Sequence, residues 1–280
     1  MLDINLIREQ PDLLRKALLD RQMDPLVVDS ILALDERRRT SLTEVETLKA
    51  QRNTVSKEIS QEKDASARKN KIESMRVVGE KIAMLDKEVT EVEEQLGSLA
   101  ATLPNLPDAR TPVGKDESEN VVLRSVGTLV EFDFEPKVHW ELGPALGIID
   151  FERGVKITGS RFYVLSGAGA RLQRALIAYM LDLHIRQGYT EQYTPFMVKA
   201  ATLYGAGQLP KFSENLYHDA EEDLWMVPTA EVPITGLHMD EILDEDRLPI
   251  AYTAYTPCFR REKMSAGRDV RGIKRGHQFD

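Results

Sequence analysis

The sequence has 280 residues, 42% of them hydrophobic and 30% charged, with a net charge of −9 and a pI near 5.3. That composition suits a globular chain rather than a disordered one, and the acidic balance argues against diffuse nucleic-acid binding over the whole surface. No apolar run approaches the roughly 20 residues of a membrane helix, the N-terminus lacks a signal-peptide pattern, and a single cysteine, Cys258, excludes an internal disulfide framework, so the expected setting is a reducing cytoplasm.

Residues 1–24 read as a short helical prelude. Pro11 and Asp12 suit a helix start, and Leu13, Leu14, Ala17 and Leu18 form an apolar stripe. Asp24-Pro25 is a second start signal, with Asp as N-cap and Pro at the first helical position. Ile31, Leu34, Leu42, Val45, Leu48, Val55 and Ile59 then keep 3–4 or heptad spacing, with Arg38 and Arg52 at two expected apolar positions. A polar tip, SQEKDASARKN (60–70), follows. The spacing resumes with Ile72, Met75, Ile82, Leu85, Val89, Val92, Leu96, Leu99 and Leu103, and Pro104 stops it. Two such segments around a polar tip predict an antiparallel coiled-coil hairpin over 1–104. Each helix would have about 30–35 residues, for a reach of about 50 Å. One apolar stripe per helix buries only one face, so the hairpin is expected to project into solvent.

Residues 105–125 are rich in Pro, Asp, Glu and Gly and read as a linker. Beyond them, over 126–280, LVEFDF, RFYVL, LWMVP and YTAYTPCF are short, Val- and aromatic-rich segments that predict strands. ARLQRALIAYMLDLHIRQG (170–188) predicts a helix ending at Gly188. Strands mixed with occasional helices, without a βαβ rhythm, predict an α+β fold with a mainly antiparallel sheet.

Three constellations carry chemistry. The closing segment, FRREKMSAGRDVRGIKRGHQFD (259–280), holds seven Lys or Arg against three acids. Read as strand, loop and strand, it presents Arg260, Glu262, Arg268, Arg271 and Arg275 together. Guanidinium groups bind phosphate bidentately, and an aromatic such as Phe279 can stack on a base, so the segment suits a nucleotide. The same spacing also suits a solvated basic hairpin. In VPTAEVP (227–233), a strand would turn Thr229 and Glu231 to one side, a hydroxyl and a carboxylate suited to a small ligand with an ammonium and a hydroxyl. An exposed strand face has the same pattern. Between Arg37 and Lys81 the hairpin carries twelve Lys or Arg against seven Asp or Glu, a local balance of +5. A cationic arm on an acidic protein suits an RNA backbone, although charge runs also occur on ordinary coiled-coil surfaces.

Other features lead elsewhere or nowhere. There is no GxxxxGK[ST], GAGARL (167–172) lacks the third glycine of a dinucleotide fingerprint, and the five histidines show no metal spacing. His277 and Cys258 read as structural residues.

Together these strings resemble the bacterial-type seryl-tRNA synthetases, a family of class II aminoacyl-tRNA synthetases. VGKDESENVVLRSVG and the segment through RFYVL are similar to the start of that family's catalytic domain. ARLQRALIAYMLDLHIRQGYTEQYTPFMV resembles class II motif 1, the dimer-forming helix and strand ending near Pro195. GAGQLPKF and VPTAEVP are similar to family signatures, and FRREKMSAGRDVRGIKRGHQFD resembles motif 2. The resemblance implies ATP-dependent ligation of L-serine to tRNA(Ser) through seryl-adenylate, with Mg²⁺ on the phosphates and possible service to tRNA(Sec). It implies that Thr229, Ala230 and Glu231 line the serine pocket. Arg260, Arg261, Glu262, Arg275 and Phe279 would form the ATP site, with Arg260, Glu262 and Arg275 at the chemistry. It implies a cytoplasmic homodimer whose arm, around Arg68, Lys69 and Lys71, touches tRNA.

The sequence departs from the family in stopping at Asp280, before motif 3 with its further ATP, Mg²⁺ and serine ligands. On that ground the 280 residues are expected to be a fragment, inactive alone, with no metal ligand of their own. Lys263-Met264 also stands where many relatives carry small residues. The competing reading is a non-catalytic tRNA-binding or interaction protein derived from a synthetase.

Overall fold

The computed structural model describes residues 2–263 and 269–280. Arg268 and Met264, singled out above, lie outside the described residues. The chain forms two compact units, Met1–Val126 and Gly127–Asp280.

The first unit is helical. Helix α1 (Ile4–Glu9) is capped by Asp3, whose side chain accepts the Asn5 N–H at 2.8 Å, and α2 (Pro11–Asp20) starts on its proline. The prelude is therefore two helices hinged at Gln10, because Pro11 has no N–H to continue the first. Helix α3 (Val27–Gln61) begins two residues after Asp24-Pro25. Asp24 acts one step earlier, accepting the Leu26 N–H at 2.9 Å in the turn that precedes the helix.

Helix α4 (Ala65–Ala100) completes the hairpin. The tip is only residues 62–64, not 60–70. Polar side chains do not end a helix unless one caps it, and here Asp64 accepts from the Ser66 and Ala67 amides at 2.7 and 2.9 Å. Those two donors hold the Asp64 carboxyl below its ordinary value.

Val45, Ile82, Val89 and Val92 are buried in the hairpin, flanked by ion pairs between its helices: Arg37–Glu88 at 2.7 Å, Arg38–Glu93 at 2.8 Å and Lys49–Asp86 at 3.1 Å. Arg38 thus meets an acid where the heptad asks for an apolar residue. Away from the tip, Ile7, Leu14, Leu18, Val28 and Ile31 form a core with Leu96, Leu99 and Leu103 against it. Each fully buried Leu or Ile contributes about 1.5–3 kcal/mol. Beside this core Asp35 is 1% exposed. Arg8 Nε and Nη2 each donate to it at 2.6 Å, and Arg39 Nε donates at 3.1 Å. The Arg8 hydrogen bonds hold the Asp35 carboxyl below the usual aspartate value against the opposing pull of burial.

In the second unit, helix α5 (His139–Ala145) leads to strand β1 (Ile149–Asp150), helix α6 (Phe151–Thr158) and strand β2 (Val164–Leu165). β1 and β2 pair antiparallel. Helix α7 (Ala168–Arg186) ends in Gly188 at φ +95°, with the Gly188 N–H bonded to Ile185 O and the Tyr189 N–H to His184 O. This paired closure needs a left-handed residue, which glycine supplies without steric cost.

Strand β3 (Thr190–Glu191), strand β4 (Met197–Lys199), helix α8 (Ala200–Gly205), strand β5 (His218–Asp219), strand β6 (Leu224–Met226) and helix α9 (Glu231–Gly236) follow, then strands β7 (Tyr252–Thr253), β8 (Cys258–Phe259) and β9 (Gln278–Phe279). The order β4-β6-β5 forms an antiparallel three-stranded sheet, β8 and β9 pair antiparallel, and β3 and β7 pair parallel. Leu203, Leu209, Leu216 and Val232 form the core that seats α8 and α9.

The α+β class with a helical arm holds, but several predicted strands shrink. LVEFDF is exposed coil, with Leu129 92% and Val130 74% exposed. Alternation makes a strand only where a partner edge exists. YTAYTPCF divides into β7 and β8, and IKRGHQF is a turn over 272–275 with pairing only at 278–279. VPTAEVP is not a strand. Pro228 and Pro233 cannot donate to a ladder, and helix α9 starts at Glu231 with Pro233 in its first turn, where no donor is needed.

Candidate active site

Strand β8 builds the site. Its register with β9 sets Cys258 opposite Phe279 and Phe259 opposite Gln278. On its other edge the Phe259 N–H bonds to Val227 O at 2.9 Å. The chain just before Thr229 and the chain before Asp280 therefore lie on either side of one short strand. The Arg260 N–H continues the β9 side, bonding to His277 O at 2.9 Å.

Successive side chains of an extended segment point to opposite faces, and the two arginines obey that. Arg260 Nε donates to Pro228 O at 3.0 Å, and its guanidinium lies 5.0 Å from the Phe279 ring centre. Arg261 turns the other way: Nε donates to Leu216 O at 2.9 Å and the guanidinium packs 4.8 Å from the Tyr217 ring. Arg261, expected in the ATP set, is thus engaged with the 215–217 segment.

Glu262 has φ +49°. A left-handed non-glycine residue costs about 1–3 kcal/mol and persists where its surroundings over-determine it. Arg275 Nη1 donates to Glu262 Oε2 at 2.9 Å, and Arg161 Nη1 donates to Glu262 O at 3.3 Å.

Thr229, Ala230, Arg260 and Phe279 line one cleft of about 720 Å³. Glu231 opens α9 beside it, with its N–H 3.4 Å from Thr229 Oγ1, and is exposed. The hydroxyl and carboxylate meet at a helix start, not on one strand face. Glu262 and Arg275 form their own ion pair and do not line the cleft.

The cleft also has walls to which the sequence assigned no binding role. Gln173 and His184 of α7 line it, with Thr253 of β7 and Tyr255 and Thr256 from the segment between β7 and β8. Tyr255 donates to Asp280 Oδ1 at 2.8 Å, and burial first, then that carboxylate, push its phenol up to about 12. It stays a protonated donor across the physiological range. Only the threonine and tyrosine content of YTAYTPCF hints at this wall.

On the arm, Arg68 and Lys69 are exposed in the first turns of α4. Lys71 instead reaches Glu58 at 3.2 Å and Glu62 at 3.3 Å, and those acids raise its pKa. It ties the two helices together at the tip.

Comparison with known proteins identifies the family. Residues 211–280, which hold the cleft's motif residues, match the class II core domain of tRNA synthetases for G, H, P, S and T. Residues 1–107 match the N-terminal domain of seryl-tRNA synthetase. The serine–tRNA ligase of Roseiflexus sp. strain RS-1 is 65% identical over the whole chain, and that of Chloroflexus aurantiacus 59%. The chain spans 66% of the length of each. A crystal structure of seryl-tRNA synthetase from Pyrococcus horikoshii complexed with ATP is 36% identical, with a TM-score of 0.90, covering all of this chain and 68% of that one. The cytoplasmic serine–tRNA ligase of Naegleria fowleri in complex with AMP gives 30% and 0.80, covering all of this chain and 65% of that one. A class II aminoacyl-tRNA synthetase core joined to a helical hairpin is thus the architecture of this protein. The chain belongs to the seryl-tRNA synthetase family.

Proposed function

We propose that this protein serves the ligation of L-serine to tRNA(Ser), activating serine with ATP and then transferring it. The single observation that carries the reading is the cleft that joins Thr229 and Ala230 to Arg260 and Phe279. It sets a hydroxyl, a fixed cation and an aromatic ring around one space, as serine and an adenine nucleotide require together.

In the first step a serine carboxylate oxygen attacks the α-phosphorus of ATP. The new O–P bond forms as the bond to the β-phosphate oxygen breaks, leaving seryl-adenylate and pyrophosphate. Arg260 supplies positive charge to the α-phosphate oxygens, the electrostatic work that dominates such transfers. Phe279 stacks on the adenine, and the Glu262–Arg275 pair borders the phosphates. Thr229 and Glu231 take the serine ammonium and hydroxyl, and Ala230 keeps the pocket small against an extra methyl. Arg261 positions Arg260 by anchoring the strand to the 215–217 segment.

Among the described residues no group of three or more His, Cys, Asp or Glu forms a metal site. Mg²⁺ is proposed as the ion that accompanies the triphosphate. In the second step the 3′ hydroxyl of the terminal tRNA adenosine takes the seryl group and AMP leaves.

The arm is the tRNA-binding element, with Arg68 and Lys69 offered to phosphates. A homodimer and a cytoplasmic location are part of the same proposal. Among the described residues no helix is long and apolar enough to cross a membrane. Service to tRNA(Sec) is part of the same proposal. The test is serine-dependent ATP–pyrophosphate exchange by the protein as its source cells make it. Exchange with serine is expected, and exchange with another amino acid but not serine overturns the assignment.

A further inference from the structure

The turn that returns the chain to β9 is seated on the first two residues of helix α5. The Ile273 N–H donates to His139 Nε2 at 2.9 Å. A backbone amide can only donate, so that ring nitrogen accepts and the imidazole proton sits on Nδ1. The Arg271 guanidinium lies 4.7 Å from the Trp140 ring centre, and Lys274 Nζ lies 5.0 Å from it. His139 and Trp140 pack edge to face at 4.9 Å, so the two rings form one platform.

Gly272 shows how closely the turn is applied. Its φ is +65°, and a Cβ there would fall 2.0 Å from His139 Nε2. Both the backbone conformation and the missing side chain are needed for the turn to reach the platform. Asp269 closes the turn from its other side, bonding Arg271 at 3.0 and 3.1 Å and Lys274 at 2.8 Å. The next residue in the chain is Arg275, which meets Glu262 at 2.9 Å.

We propose that His139 and Trp140 are positioning residues for nucleotide binding: they seat the 271–274 turn and thereby set Arg275 against Glu262. This rests on the ATP reading above. Two of the turn's cations, Arg271 and Lys274, are engaged by an indole and an aspartate. Arg271 and Lys274 are therefore parts of the seat, while Arg260 lines the cleft and Arg275 holds Glu262 beside it. A turn held by one hydrogen bond and a pair of cation–ring interactions is local, so loosening it moves Arg275 and leaves the Thr229–Glu231 segment, seated by Val232, in place.

The experiment compares His139→Leu, His139→Gln, Trp140→Ala and Trp140→Phe in the protein as its source cells make it. Amide hydrogen exchange at Ile273 reads the seat directly, and ATP–pyrophosphate exchange reads its consequence. His139→Leu removes the acceptor. Ile273 should lose protection and the KM for ATP should rise about 10-fold while the KM for serine stays within about twofold. His139→Gln restores an acceptor and should recover both readings. Trp140→Ala should raise the KM for ATP and Trp140→Phe, which keeps a ring for the cations, should restore it. Unchanged Ile273 protection in His139→Leu overturns the proposal. So does lost protection with an unchanged KM for ATP, or equal effects on both substrates. If the unsubstituted protein shows no serine-dependent exchange, the ATP reading falls, while the Ile273 protection still decides whether the seat exists.

Discussion

The Arg260 guanidinium lies 5.0 Å from the centre of the Phe279 ring while its Nε donates to Pro228 O at 3.0 Å. One side chain thus spans from the residue before Thr229 to the aromatic on the neighbouring strand. The Pro228–Thr229 segment and the Phe279 ring are held in one frame, and preorganisation of this kind lowers the cost of ordering a site on binding.

Removing that side chain should separate the two activities. Arg260→Ala is expected to lower serine-dependent ATP–pyrophosphate exchange by about 100-fold or more, the usual cost of losing a charge-stabilising donor. Binding of tRNA by the arm should remain within a few-fold. Parallel loss of exchange and tRNA binding would contradict separate sites.

Phe279→Ala should act on the nucleotide alone. A base–aromatic stack is worth about 1–3 kcal/mol, so the KM for ATP is expected to rise about 10- to 100-fold with little change in the KM for serine. Arg261→Ala is expected to change the KM for ATP far less. It should instead destabilise the second unit by about 1 kcal/mol through loss of the bond to Leu216 O, seen as a melting point lower by about 2–4 °C.

The arm's cations divide by partner. Replacing Arg68 and Lys69 by Ala should weaken tRNA binding and lower the slope of log K against log salt by about 0.7–0.9 for each phosphate that is no longer neutralised. Lys71→Ala should do less to that slope, because Lys71 already meets Glu58 and Glu62. An unchanged slope in the double variant would remove these two residues from the RNA interface.

Asp35 should make the first unit acid-sensitive. Arg8 holds its carboxyl below the ordinary aspartate value in the folded chain. A group depressed on folding adds stability above its unfolded value, near 3.9, and loses it as pH falls from there through the folded value. Asp35→Asn is expected to cost about 1–3 kcal/mol at neutral pH, since Arg8 loses its charged partner. It should also flatten the fall in melting temperature below about pH 4. A melting curve with the same acid limb in both proteins would show that other carboxylates govern it.

Much of the first unit was legible in the sequence because a long helix answers to local rules. The 3–4 spacing from Ile31 to Leu103 needs only a partner stripe, and the two halves of the hairpin supply each other with one. Asp64 shows the limit. A run of polar residues over 60–70 looks like a loop, yet the helices continue until a side chain caps the amides at Ser66 and Ala67. The half-buried Arg8–Asp35 pair left no trace in the apolar pattern, because it joins residues 27 positions apart.

The second unit depended on tertiary partners. Helix α7 and its closure at Gly188 follow from composition and one left-handed residue. LVEFDF alternates like a strand and is coil, because no edge among the described residues receives it, and the two prolines of VPTAEVP turn Glu231 into a helix start. The sequence by itself determined the kinds of groups present: guanidinium groups near an aromatic, a hydroxyl near a carboxylate, and a family likeness in their order. Only the tertiary structure decided which groups share a space. Hydrogen bonds from Phe259 to Val227 and from Arg260 to His277 join segments far apart in the chain. Side-chain alternation then sends Arg260 into the cleft and Arg261 away from it. No local rule carries such long-range pairing, because its geometry comes from strands that the chain meets only after it has folded.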